Sequence, residues 1–197
     1  MRIEGALTYA DVCRPSTTTT RWAYEILLVL TGTILLALSA KVQIPMWPVP
    51  VTAQTFAVLL VGALFGAKRG TATVLVYISE GALGLPVFAG PVAGLAYMSG
   101  PTGGYLIGFI AAAWIVGRLA ERGWDRRFVT TVAAMALGTA AIFVCGMGRL
   151  AALGGPIYAV VEGLVPFIPG AIVKIVLAAA LLPSGWKVLA KLQAGGR

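Results

Sequence analysis

The residue with the most chemical consequence is Lys174, the one charged side chain in the apolar segment 168–183. It lies six positions into that segment, roughly 9 Å below its end at about 1.5 Å per residue. An ammonium group at that depth either meets an anion or sends its long stem back to the surface. An anionic substrate would suit it. Glu80, four residues from the end of segment 70–84, either pairs with Lys174 or simply reaches the boundary of the apolar layer. Tyr77, Tyr97, Tyr105 and Tyr158, with Trp47, Phe88 and Gln54, can supply the apolar walls and the few oriented hydrogen bonds of a small-molecule site. Each aromatic has a competing role as an anchor at a membrane interface. Arg149 and Glu162 are expected to be solvated.

Other chemistries are excluded. There is no histidine, and the two cysteines, Cys13 and Cys145, have no metal-ligand spacing and no expected disulfide. GALFGAKRG at 62–70 lacks the GxxxxGK[ST] order of a phosphate loop, and GPTGGYLIG at 100–108 has no lysine. The chain therefore carries no ATP-hydrolysing motif, and energy for active transport would come from elsewhere. An intramembrane enzyme built on Glu80 and Lys174 is disfavoured, because no nucleophile–base pair and no metal cluster accompanies them. No cofactor is implied.

The elements that must position these residues are membrane segments. Of 197 residues, 59% are hydrophobic and 11% charged, against about 45–50% and about 25% in a soluble domain; the mean hydropathy is +0.91. The expected fold is all-α, a six-helix membrane bundle over 22–186, with spans at 22–40, 54–66, 70–84, 104–117, 128–148 and 168–183. A polar tail, 1–21, precedes it and reads as no signal peptide, having Arg2, Glu4, Asp11 and Arg14 in place of an apolar core. A basic tail, 187–197, follows it. Segments 54–66 and 70–84 are short, and charge argues for them. With six spans and both termini cytoplasmic, twelve of the fifteen basic residues face the cytoplasm, as the positive-inside bias demands. A re-entrant hairpin would instead strand Lys68 and Arg69 at membrane depth, at about 2.5–3.5 kcal/mol each. The net charge of +8 thus follows from topology and not from nucleic-acid binding.

This topology gathers three Gly/Pro-rich connections, 41–53, 85–103 and 149–168, on the outer face. Irregular backbone near a bilayer must bury against protein or line a cavity, so these loops are expected to form the mouth of an outward-facing pocket. The uncharged stretch 84–105 is read as its wall and lid. Gly62/Gly66 and Gly104/Gly108 have small-xxx-small spacing and are expected to let helices approach closely. Thr33 and Ala37 offer a smooth face for a partner protein.

IPMWPVPVTAQTFAVLLVGALFGAKRG (44–70), GLPVFAGPVAGLAYMSGPTGGYLIGF (84–109), VPFIPG (165–170) and Lys174 closely resemble the BioY family. Its members are the substrate-binding membrane components (S-components) of biotin transporters of the energy-coupling factor (ECF) type. The resemblance runs from the first span to about residue 186. It implies a six-helix S-component of the cytoplasmic membrane that captures biotin from outside, working with a transmembrane coupling protein and a pair of ATP-binding-cassette subunits. A component for another vitamin is the first rival, and a structural subunit without a ligand another. Homo-oligomerisation and the need for a coupling module stay open. The substrate contacts expected are Lys174, Gln54, Tyr77, Glu80, Phe88, Gly90, Tyr97 and position 171. There the chain departs from the family: PGD-x-x-K becomes Pro169-Gly170-Ala171-Ile172-Val173-Lys174. Loss of the acid removes an acceptor for the ureido N–H groups of biotin, to be replaced by Glu80 or a loop carbonyl, or else not replaced.

Overall fold

The computed structural model describes residues 8–194; Arg2, Glu4 and Arg197, which enter the charge argument, lie outside them. The chain is mostly helical. A short helix α1 (Tyr9–Val12) precedes α2 (Thr18–Lys41). A two-residue hairpin, β1 (Gln43–Ile44) and β2 (Val51–Thr52), then pairs Gln43 with Thr52 and Ile44 with Val51. After it come α3 (Gln54–Phe65), α4 (Ala67–Ala82), the short α5 (Gly94–Ser99), α6 (Gly103–Ala120), α7 (Phe128–Gly163) and α8 (Ile168–Ala194).

Three helical stretches are long and apolar enough to cross a membrane: Thr18–Lys41, Gly103–Ala120 and Phe128–Leu192. The third is α7 and α8 together, interrupted at Gly155 and at the single turn Val165–Phe167. Helix α2 shows why apolar residues run round these helices and not along one stripe. Its Gly32, Thr33, Leu36, Ser39 and Ala40 face the bundle, while Trp22, Ile26, Leu27, Leu30, Ile34 and Leu38 are exposed. A row of large exposed apolar side chains of that length is stable against lipid and costly against water. Thr33 is buried and Ala37 packs against the core, so the face expected to meet a partner protein turns into the bundle.

Close helix contact comes from glycine where the sequence pattern expected it. A Cβ on Gly104 or Gly108 would lie 2.5 Å from Cys145 O or 2.7 Å from Ile142 Cα, so α6 and α7 meet backbone to backbone. Gly62 packs in the same way against Ala113. Gly66 does something else. Its φ of +85° makes the turn that ends α3 and starts α4, a conformation costly to any residue with a Cβ. Glu121 completes that turn by accepting the Ala67 N–H at 2.9 Å, supplying from α6's far end the cap α4 lacks locally.

Two expectations need correction. Residues 149–163 are not a loop: α7 continues to Gly163, with a break at Gly155 (φ +88°), where Pro156 cannot donate to the helix. Residues 187–194 are not a detached tail either, because α8 runs on through them. Pro183 lies inside α8, and Trp186 is buried beyond it. The anchor for this extension is Asp125, whose carboxylate accepts the Trp186 indole N–H at 2.6 Å.

The bundle therefore has two ends. At one, the starts of α3 and α6 meet the break in α7 and the early turns of α8. At the other, the turns at 66 and 121–127 meet α1 and the end of α8.

Candidate functional site

At the first end the hairpin delivers Thr52 to the start of α3. The hairpin closes through its pairing and through the Ala53 N–H, which donates to Val42 O at 2.9 Å. Helix α3 then begins at Gln54, with Thr55 in its first turn. From the opposite wall, Lys174 of α8 reaches both. Its ammonium donates to Thr52 O at 2.6 Å and to Thr55 Oγ1 at 2.8 Å. The stem thus turns inward and does not snorkel.

Behind this contact lies a chain of polar groups. Thr52 Oγ1 donates to Gln54 Oε1 at 3.2 Å, Gln54 Nε2 to the Tyr77 hydroxyl at 2.6 Å, and that hydroxyl to Val87 O at 2.9 Å. Gln54 and Tyr77 are buried, and a buried amide or phenol without partners would cost about 1–3 kcal/mol. Here every link has one, so the chain fixes the hairpin and the loop after α4 relative to each other.

The space in front of Lys174 is apolar. A cavity of about 30 Å³ is lined by Lys174, Thr55 and Gln54 together with Tyr97, Tyr105, Phe109, Phe143 and Phe167. Tyr105 and Phe167 stack at 5.9 Å between ring centres, Phe143 meets Phe167 edge-on at 6.3 Å, and the Tyr105 hydroxyl donates to Gly163 O at 2.7 Å. The last contact ties α6 to the end of α7, so the aromatic wall is held from two helices. A second cavity of about 20 Å³ adjoins it, with Ala171, Lys174, Thr55 and Thr139 among its walls. A wider groove of about 470 Å³ opens between the hairpin and α8, and Lys174 and Thr52 border it as well.

The expected contact residues divide. Lys174, Gln54, Tyr97 and Tyr105 line the larger cavity and Ala171 the smaller. Tyr77 and Phe88 stand one layer back. Phe88 is packed edge-on to Tyr77 and stacked on Tyr97, and it shapes the wall without forming it. Gly90 (φ +76°) is in the loop between α4 and α5 and lines neither cavity. Glu80 makes no ion pair with Lys174; among the described residues no carboxylate does. Trp47 is 83% exposed, and Tyr158 lies against Gly154. Arg149 is not simply solvated. Its guanidinium donates to Gly100 O at 3.4 Å and also to Ser99 O, tying down the end of α5.

Sequence reasoning passed over Thr55, Thr139, Phe109, Phe143 and Phe167. The first carried a faint signal, since Thr52, Gln54 and Thr55 place three polar side chains at the mouth of an apolar helix. The phenylalanines carried none.

Residues 13–191 match the BioY family. A probable biotin transporter BioY of Pyrococcus horikoshii is 40% identical over 152 residues, covering 77% of this chain and 90% of that protein. The biotin transporter BioY of Thermotoga maritima is 39% identical over 150 residues, covering 76% and 88%. Among solved structures, the S-component for biotin from an ECF-type ABC transporter superposes with a TM-score of 0.74 at 23% identity, over 87% of this chain and 95% of that one. That likeness establishes the fold, and the sequence match establishes the lineage: the chain belongs to the BioY family.

Proposed function

We propose that this chain is the biotin-capturing component of an ECF-type uptake system in a cytoplasmic membrane. The observation that carries the reading is Lys174. Among the described residues this ammonium group is held only by neutral oxygens, at the edge of an aromatic-walled cavity. Biotin supplies a carboxylate for that cation and a fused apolar ring system for those walls. The relatives bear the name biotin transporter, and transport fits a site without nucleophile, base or metal.

The six helices α2, α3, α4, α6, α7 and α8, with the basic residues gathered at the turns of one end, support six spans with both termini cytoplasmic. On that orientation the Lys174 end faces outward. The substrate contacts we assign are Lys174, Gln54, Tyr97 and Tyr105, with Tyr77 and Phe88 supporting them. Glu80 does not reach Lys174, so Thr139, beside Ala171, is the better replacement for the missing acid. A transmembrane coupling protein and ATP-binding-cassette subunits would supply the energy, since the chain has no phosphate loop.

Calorimetric titration of the purified protein with biotin tests the reading. Saturable heat and a rise in melting temperature are expected at micromolar ligand. Neither signal at tens of micromolar, or equal competition by thiamine and riboflavin, would overturn it.

A further inference from the structure

A small-molecule pocket spans about 300–1,000 Å³. The cavity behind Lys174, at about 30 Å³, has room for little more than one water, whereas the groove between the hairpin and α8, at about 470 Å³, is within the range. Both spaces are bordered by the same two residues, Thr52 and Lys174. The contact of Lys174 with Thr52 O and Thr55 Oγ1 therefore lies at the boundary between the wide groove and the smaller cavity and acts as the partition between them.

The other side of the cavity, under the loop 85–102, is fastened. Lys41 donates to Phe88 O at 2.8 Å, Tyr77 to Val87 O at 2.9 Å and Arg149 to Gly100 O at 3.4 Å. Phe88 is 1% exposed, between the Tyr77 and Tyr97 rings. Opening there breaks at least four hydrogen bonds, the Arg149 bond to Ser99 O included, and an aromatic stack. Opening at the groove breaks two bonds, both to an ammonium that an arriving carboxylate can take over.

We propose that biotin arrives through the groove between the hairpin and α8, and that its carboxylate opens the partition by drawing Lys174 away from Thr55. This rests on the biotin reading above. Thr55 then acts as a positioning residue: it holds the ammonium across the gap in the free protein and gives it up in the complex. Exchange is favourable because a carboxylate–ammonium bond is shorter and stronger than one to a neutral hydroxyl.

Stopped-flow binding of biotin to the purified full chain tests the path. Thr55→Val keeps the volume and removes the acceptor. Association is expected to quicken about tenfold with dissociation nearly unchanged, and Thr55→Ser to restore the wild-type rate. Gly170→Leu narrows the groove, since a Cβ there lies 3.9 Å from Val51 Cγ1 without a clash. It should slow association and dissociation together by about tenfold. Val173→Trp, at a position 65% exposed, repeats that test where the fold is indifferent to size. If Thr55→Val weakens binding through faster dissociation alone, Thr55 is a ligand contact and not a partition. If the groove variants leave association within twofold while Lys41→Met quickens it, the ligand passes under the 85–102 loop. Either result overturns the path with the biotin reading intact. A wild-type chain that binds no biotin overturns both.

Discussion

The two ends of the bundle treat a cation in opposite ways. At one end Arg69 is fully paired. Its guanidinium donates to Glu25 through Nε at 2.6 Å and Nη2 at 2.9 Å, and to Asp11 through Nη1 at 2.8 Å, while Arg14 adds a longer contact to Glu25 at 3.4 Å. At the other end Lys174 has, among the described residues, only a carbonyl and a hydroxyl. Two carboxylates satisfy the arginine in a planar fork that resists displacement. Neutral oxygens hold the lysine in place yet leave its charge unmatched. The first arrangement serves the fold by fastening α1 and α2 to α4. The second keeps a positive charge available to an incoming anion. Local charge does not tell such sites apart; the kind of partner does.

The sharpest way to break this contrast is at Lys174. Lys174→Met should weaken biotin binding by about 100-fold, near the upper end for a hydrogen bond to a charged group, with little change in melting temperature, because the lost partners are a hydroxyl and a carbonyl. Titration calorimetry beside a melting curve separates the two readouts. Equal loss of stability would make Lys174 a structural residue like Arg69. Arg69→Met is the converse experiment. It leaves Asp11, partly buried, without its cation, and Glu25 with only the longer contact to Arg14. Stability should fall by about 2 kcal/mol, read as a lower melting temperature, with biotin affinity within threefold of wild type.

A smaller effect is expected beside the lysine. Ala171 borders the same cavity as Lys174 and Thr139. Ala171→Asp restores the acidic residue of the family pattern, and biotin affinity should rise about tenfold. No gain would show that the ureido group is served by other acceptors.

The smallest effect is one of pH at the Arg69 end. Burial alone would raise the Asp11 carboxyl, but the hydrogen bonds from Arg69 and Thr8, with the charge of Arg69, hold it below its ordinary 3.8. A lowered acid contributes stability above its unfolded value, and that contribution drains away as pH falls through the folded one. The fastening of α1 should therefore be intact at pH 5 and weaken below about 3.8. The Asp11 side chain is 23% exposed, and this partial screening by solvent keeps the effect small, under about 1 kcal/mol. Protection of the α1 backbone from hydrogen exchange would follow it, and Asp11→Asn should remove the dependence.

Much of this was legible in the chain. A lone lysine in an apolar segment is costly enough to draw attention wherever it folds, and Lys174 lines both cavities of the candidate site. Gly104 and Gly108 announced the close approach of α6 to α7. Residues 149–163 misled, because Gly154, Gly155 and Pro156 look like a loop. One residue, Gly155, absorbs the whole break and helix resumes at once. The extension of α8 through 187–194 was hidden for a different reason. Its anchor is an indole-to-carboxylate bond between Trp186 and Asp125, 61 positions apart.

What the sequence determined by itself was the membrane character, the lone cation of its last apolar segment, and the family. Composition, the cost of a buried charge and long motifs are properties of the chain before it folds. Tertiary structure decided which partners the cation has. The bonds from Lys174 to Thr52 and Thr55 join residues 122 and 119 positions apart. No local pattern encodes them; they exist because the hairpin sets the start of α3 across from α8. For the same reason Glu80, the obvious counter-ion by charge, is not the partner. Attraction in sequence space has no range, whereas an ion pair needs contact, and the packing of α4 places Tyr77, not Glu80, toward Gln54 and the site.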